Sequence, residues 1–308
     1  MPTVSIIMNC RNGGEYVTEA IESVLNQTFV DWELIFWDNQ STDNTAIIVK
    51  NYSDIRIKYF LSTTPDNLGC ARDKAIKTAR GEFIAFLDSD DKWRPKKLEK
   101  VIPLFQDPAV GLAYSNCLQF DGRSLEKNIY TNSGCYAEGF VFLELLSRYF
   151  LNLQTVVLRK SALTKFEPIF DPSLKVSEEA DLFLRVSHDW KLAMVDEVLA
   201  EYRVHSKSDS WKKTDLFVKE SKVIIEKLSS LFPLERDSIK HAGTGMLDTS
   251  YWSCAVSSLI RGNNSEMRKF VRMMSNKRLK HKVAYWGSYL PGFTFLKLLR
   301  YFKYIHTD

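Results

Sequence analysis

No run of about eighteen uninterrupted apolar residues occurs anywhere in the sequence, which removes a membrane-spanning helix from the reading. Cysteine is scarce and unpaired. Cys10, Cys70, Cys117, Cys135 and Cys254 are odd in number, widely spaced and without a CxxC pair, so neither a disulfide framework nor a zinc site is expected, and the thiols read as reduced and mostly buried. No basic n-region precedes the first apolar run, VSIIM; no secretory leader is read there and the expected location is the cytosol. Two phosphate-binding fingerprints are also missing, since no GxGxxG follows the first strand-like run and no GxxxxGK[ST] occurs.

What is present describes a globular chain of 308 residues, 45% hydrophobic and 26% charged, long enough for one large domain or for one domain with a helical appendage. Disordered and fibrous classes are excluded. The 42 basic and 38 acidic residues leave a net charge of +4 that is unevenly placed. Residues 261–308 hold eleven Lys/Arg against Glu266 and Asp308, a net +9, so the first 260 residues stand at −5. A basic end on an acidic body implies an anionic partner for that end, a membrane surface or a nucleic acid.

The first half alternates short β-rich runs with amphipathic helical ones, the pattern of βαβ units feeding a mostly parallel sheet with helices on its faces. Strands are expected at residues 4–8, 33–37, 57–61, 83–87 and 111–115, with helices at 15–27, 42–51, 71–79 and 95–105. After residue 118 the rhythm changes. A polar stretch reads as loops or a hairpin, GFVFLELLSRYF as a helix, LQTVVLRK as a strand, residues 178–190 as a helix and 192–203 as a strand. From Asp215 the chain reads as helical, with a middle helix near 246–260 and a last one in FTFLKLLRYFKYI. The expected organisation is a domain over residues 1–210, divided near 117/118, and a helical basic region over 211–308. SKSDSWKKT, at 206–214, is the candidate mobile linker.

Chemistry concentrates at strand ends. LDSDD (Leu87 to Asp91) crowds three carboxylates behind an apolar strand, where an open α/β sheet keeps its ligand crevice and where hard oxygen donors suit Mg²⁺ or Mn²⁺ on a diphosphate. A solvated acidic turn before the helix that Pro95 opens would look the same. ELIFWDNQSTDNT ends a second strand in Asp38 and Asn39, polar groups able to read a nucleobase, while Ser41 to Asp43 suffice as a helix cap. Arg72 falls in the first turn of a helix, suited to an anion or to pairing with Asp73 or a surface acid. Glu178, Glu179 and Asp181 open a largely apolar helix, either as partners of its dipole or, with one carboxylate in a cleft, as a general base. Arg203 and His205 follow at a further strand end.

Taken in order, VSIIMNCRNGGEYVTEAIESVLNQT, WDNQSTDNT, NLGCARDKAI, GEFIAFLDSDD, SEEADLFLR and YRVH resemble the bacterial family 2 inverting glycosyltransferases over about residues 3–206. The resemblance implies the GT-A (nucleotide-diphospho-sugar transferase) α/β fold with a helical C-terminal extension. It places Asn9, Arg11, Asn12, Asp38, Asn39 and Arg72 around the nucleotide. Asp88, Asp90 and Asp91 match the acidic metal motif, with Asp90 near ribose and metal and Asp91 as the direct ligand of Mg²⁺ or Mn²⁺. Glu179 takes the place of the acceptor-deprotonating base, Asp181 is the fallback, and His205 lies near the diphosphate.

Three departures from the family pattern bear on specificity. Asn9-Cys10-Arg11-Asn12 replaces Pro-Thr-Tyr-Asn, Asn39 replaces an aspartate, and Glu179 replaces the aspartate of a Glu-Asp pair. Asn39 both donates and accepts, so thymine, uracil and guanine are each accommodated there; the expected donor is a UDP-sugar, with dTDP- and GDP-sugars as alternatives. The implied function is transfer, with inversion, to a glycan or lipid-linked hydroxyl in surface polysaccharide or lipopolysaccharide synthesis. An inactive nucleotide-sugar-binding module or a partner subunit is the alternative; a sugar-1-phosphate nucleotidyltransferase would need a glycine-rich basic loop that Asn9 to Gly14 does not supply. In residues 293–305 Lys297, Arg300 and Lys303 fall three apart beside an apolar face, which suits peripheral contact with the inner membrane face, the chain's own body or a second subunit. Nucleic acid is not expected, because no binding module accompanies these cations.

Overall fold

In a computed structural model, the described residues are 1–120, 128–130, 137–205 and 214–289. The chain divides into two compact units, the first Met1–Leu145 with Phe150–Ser206, the second Leu146–Tyr149 with Lys207–Asp308. Of the expected features, Cys135, nearly all of SKSDSWKKT and the helix at 293–305 lie outside the described residues.

The first unit is an α/β domain built on one sheet. Its strands are β1 (Val4–Cys10), β2 (Trp32–Asp38), β3 (Ile57–Leu61), β4 (Phe83–Phe86), β5 (Lys92–Trp93), β6 (Val110–Phe120), β7 (Asn128–Tyr130), β8 (Val157–Arg159) and β9 (Lys191–Arg203). They form one sheet in the order β3-β2-β1-β4-β8-β6-β9-β5, with β7 on β6. β1 to β4 are mutually parallel. The short β8 runs against both β4 and β6, so β6 and its parallel neighbour β9 point the same way as β1 to β4. β5 and β7 run the other way. The sheet is therefore mostly parallel, and the polar stretch after residue 118 contains the hairpin return β6–β7.

Helices cover both faces of this sheet, and β1 is buried at every residue, as an internal parallel strand is. α1 (Val17–Leu25) buries Val17, Ala20, Ile21 and Val24 against one face. α2 (Thr45–Lys50), α3 (Leu68–Thr78), α4 (Lys97–Val101) and α5 (Phe142–Ser147) follow. α3 begins under an Asn67 cap, whose side-chain oxygen accepts from the Cys70 amide at 2.8 Å. α6 (Glu178–Asp189) buries nine of its twelve residues. Among the thiols, Cys10, Cys117 and Cys254 are buried and Cys70 is half-buried.

The second unit holds α7 (Thr214–Leu231), α8 (Arg236–Ile260), α9 (Asn264–Met273) and α10 (Leu279–Gly287). Ala255, Val256 and Leu259 of α8, Met267 and Val271 of α9 and Ala284 of α10 share one apolar cluster. The helix expected near 246–260 is ten residues longer at its start, because Gly243 and Gly245 are contact glycines and not breaks. A Cβ at Gly245 would stand 2.0 Å from the Ser147 carbonyl oxygen, and one at Gly243 would stand 2.8 Å from Ile225. No described helix is long and apolar enough to cross a membrane.

Candidate active site

Parallel register brings the ends of β1, β2 and β4 to one edge: Cys10 pairs with Asp38, and Ile7 with Phe86 two residues before Asp88. The loops there are cross-braced. Asn12, at φ 59, accepts from the Thr42 amide at 2.7 Å, the Ser41 hydroxyl accepts from the Asn12 amide, and Asp43 accepts from the Gly14 amide. A side chain at Gly14 would collide with Asn44, 1.9 Å from its Oδ1. Asp43 also accepts from the Thr45 amide at 3.0 Å, so the expected capping turn does double service as a brace.

The residues expected around the nucleoside separate into three situations. Asp38 is fully buried and committed, accepting from the Ser41 amide at 2.7 Å and the Tyr59 hydroxyl at 2.6 Å. Asn39 pairs with the backbone of Asp66, donating to its carbonyl at 2.8 Å and accepting from its amide at 2.9 Å. Its carboxamide thus acts as a peptide mimic that holds the loop before α3. Asn9 is 8% exposed, and neither its donor nor its acceptor has a hydrogen-bond partner in the structure; a buried amide left so is costly unless a ligand satisfies it. Arg11 is exposed beside it.

Arg72 joins the two acidic motifs. It donates to Asp88 at 3.1 Å and to Glu178 at 2.7 Å, with Arg72 and Glu178 both nearly sealed from water. Asp73, the alternative partner, instead accepts from the amides of Ile169 and Phe170 at 3.2 and 2.9 Å, and Asn67 donates to the Pro172 carbonyl at 3.0 Å. α3 therefore clamps the segment that delivers the start of α6. Glu179 stands there half-buried. Burial and the adjacent Glu178 carboxylate raise its pKa to about 8, against the opposing pull of Arg72. Asp181 is fully buried and accepts from the Arg185 Nε at 2.9 Å and its terminal nitrogen at 2.7 Å, a bond pattern that serves the helix.

The acids of DSDD differ sharply in setting. Asp91 is 1% exposed, and one of its oxygens accepts from the Arg203 amide at 2.8 Å; the other has no partner in the structure. Burial, with Asp90 and Asp88 adding to it, holds its pKa well above the usual carboxylate range. Asp90 keeps a third of its side chain in solvent and contacts His205 Nε2 at 2.9 Å. Arg203 donates to the Asp90 carbonyl at 2.9 Å and to Glu19 at 2.9 Å, with its guanidinium 4.5 Å from the ring centre of Tyr16. Asp91 thus anchors the acidic loop to β9 through one oxygen and keeps its other oxygen without a hydrogen-bond partner, while the more exposed carboxylates of the motif are Asp90 and Asp88.

A divalent cation fits this arrangement. Among the described residues no three His, Cys, Asp or Glu side chains cluster into a self-sufficient metal site, and Mg²⁺ or Mn²⁺ serving a diphosphate takes only one or two protein carboxylates beside water and phosphate oxygens. Asp90, with His205 touching it, supplies a donor set of that size. Tyr59, Arg203, Glu19 and Asp73 were not singled out as the partners they are; Glu19, on the outer face of α1, carries no signal that could have found it.

Strand-end acids, a clamped carboxylate helix and this sheet topology together define a nucleotide-diphospho-sugar transferase fold. The chain belongs to glycosyl transferase family 2, which matches residues 5–167. It is 32% identical over 212 residues to the UDP-Glc:alpha-D-GlcNAc-diphosphoundecaprenol beta-1,3-glucosyltransferase WfgD of Escherichia coli, across 68% of this chain and 80% of that one. The crystal structure of S. aureus TarS 1-349 matches with a TM-score of 0.64 at 19% identity, over 100% of this chain and 94% of that one. The mannosyltransferase PcManGT from Pyrobaculum calidifontis, solved in complex with GDP-Man and Mn²⁺, matches at 0.57 and 13%, over 98% and 88%.

Proposed function

We propose that this glycosyltransferase moves a sugar, with inversion, from a nucleoside-diphosphate donor to a hydroxyl of a glycan or lipid-linked acceptor in surface polysaccharide or lipopolysaccharide synthesis. The observation that carries the reading is the bridge from Asp88 through Arg72 to Glu178, which ties the helix start bearing Glu179, a carboxylate of raised pKa, to the acidic strand end. In the step, the acceptor oxygen forms a bond to the anomeric carbon as that carbon's bond to the diphosphate oxygen breaks. The proton of the acceptor hydroxyl passes to Glu179, and the bonding pair leaves with the nucleoside diphosphate. Asp90 and His205 would hold Mg²⁺ or Mn²⁺, which offsets charge on the leaving diphosphate as a Lewis acid. Arg72 adds positive charge on the same side.

The name of WfgD supports a UDP-sugar and an undecaprenol-linked acceptor; the GDP-mannose and Mn²⁺ of PcManGT keep a GDP-sugar open. The occupied amide of Asn39 leaves Asn9 as the polar group suited to the nucleoside. A thermal-shift panel of UDP, dTDP, GDP, CDP and AMP, each with and without Mn²⁺, tests the reading. One diphosphate stabilising the chain only with metal supports it and names the donor; no response to any of them favours an inactive module or a missing partner subunit.

A further inference from the structure

We infer that α9, α10 and the turn after α10 form a docking face for an anionic phospholipid bilayer. Lys282, Trp286 and Tyr289 recur at i, i+4 and i+7, one side of α10 and its continuation. Trp286 is 69% exposed and Tyr289 59%. Their rings stand 6.2 Å apart, with Tyr285 5.3 Å from Trp286 and 6.0 Å from Tyr289, so the aromatics are one patch. α9 lays cations along it: Arg268 covers the Tyr289 ring at 4.4 Å, and Arg272 donates to the Tyr285 hydroxyl at 2.7 Å.

Tyr285 leans partly on the core, but the exposed Trp286 and Tyr289 are not needed by it. Met267, Val271 and Ala284 carry the apolar packing of α9 and α10 against Ala255, Val256 and Leu259. What faces away is aromatic surface rimmed by positive charge, the composition that settles at the headgroup level of a membrane. Residues 261–289 hold eight Lys/Arg against Glu266 alone. That charge repels a second copy of the same face and attracts an anionic leaflet. Bilayer docking adds a partner to the proposed transfer onto a lipid-linked acceptor, but stands without it, since it rests on a different surface.

Flotation of the full chain with vesicles of phosphatidylglycerol or of phosphatidylcholine, without donor or acceptor, tests the face independently of the transferase reading. The expected result is binding to phosphatidylglycerol vesicles alone. Arg272→Glu/Lys282→Glu, checked for an unchanged melting temperature, should partition about 30-fold more weakly or less still, since each surface cation contributes roughly fivefold. Brominated acyl chains should quench tryptophan emission in the wild type, and Trp286→Phe should abolish that quenching. Equal partitioning of wild type and double variant, or quenching that survives Trp286→Phe, overturns the inference and passes the contact to residues beyond 289. A concentration-dependent dimer that the double variant abolishes also overturns it, in favour of a second copy.

Discussion

Arg72 and Glu178, 106 residues apart in the chain, form an ion pair at 2.7 Å that is almost wholly withdrawn from water. The same guanidinium reaches Asp88 at 3.1 Å, so one side chain fixes the distance between the strand end that carries DSDD and the helix that carries Glu179. Removing it does two things at once: it strands a buried carboxylate and releases the start of α6.

Arg72→Met is therefore expected to lower stability by about 3 kcal/mol or more, because Glu178 is left buried without its partner. Arg72→Met/Glu178→Met removes both charges and should recover most of that loss. Urea denaturation of the three proteins checks this; equal losses in the single and double variants would show that packing and not charge is at stake.

Glu179 should govern the pH dependence of turnover. With its pKa raised from 4.5 to about 8, the carboxylate that accepts the proton is scarce at neutral pH and grows as pH rises, so kcat should climb toward a plateau above about 8. Glu179→Gln should remove that limb and depress kcat by about 10²-fold or more while sparing donor affinity. Asp181→Asn, at a position committed to Arg185, should instead show its main effect in stability.

The strands were legible because internal parallel strands are apolar on both faces, which makes VSIIM and FIAFL stand out without any alternation. Helix α8 was half-read, since Gly243 and Gly245 resemble breaks until Ile225 and Ser147 are seen against them. The two-residue β5 leaves no periodic trace at all. In the site, residue type with a strand-end or helix-start position singled out Asp38, Arg72, Asp90 and Glu179, but not their partners. Tyr59 meets Asp38 from 21 residues away and Arg203 meets Asp91 from 112; such pairs depend on tertiary register, on which local spacing is silent. Burial likewise separates Asp91 from Asp90, a difference that their adjacent places in the sequence do not show.

This separation is measurable. Asp90→Asn should abolish the Mn²⁺-dependent part of nucleotide stabilisation while leaving the melting temperature of the unliganded chain nearly unchanged. Asp91→Ala should lower stability by about 1–3 kcal/mol, because the buried Arg203 amide loses its acceptor. Calorimetric titration of Mn²⁺ with the nucleotide, beside denaturant melts of both variants, distinguishes the two; a stable Asp91→Ala that has lost only metal would make Asp91 the direct ligand.

Lys97 provides a stability test away from the site. It is fully buried, donates to the Thr155 carbonyl at 2.7 Å, and has its pKa pushed down to about 7 by burial. In the unfolded chain the amine keeps its proton up to the ordinary value of 10.5. Between about 7 and 10.5 the unfolded state thus binds more protons than the folded one, and this residue's contribution to stability rises with pH across that window; below about 7 the burial penalty is felt in full. Lys97→Met removes the penalty, so it should stabilise the protein most at pH 6 and progressively less toward pH 9. The difference between variant and wild type isolates Lys97 from Glu179, whose raised pKa works in the opposite sense between 4.5 and about 8. Urea melts of both proteins at pH 6, 7.5 and 9 supply the comparison, and a pH-independent difference would mean that the buried amine is not titrating in this range.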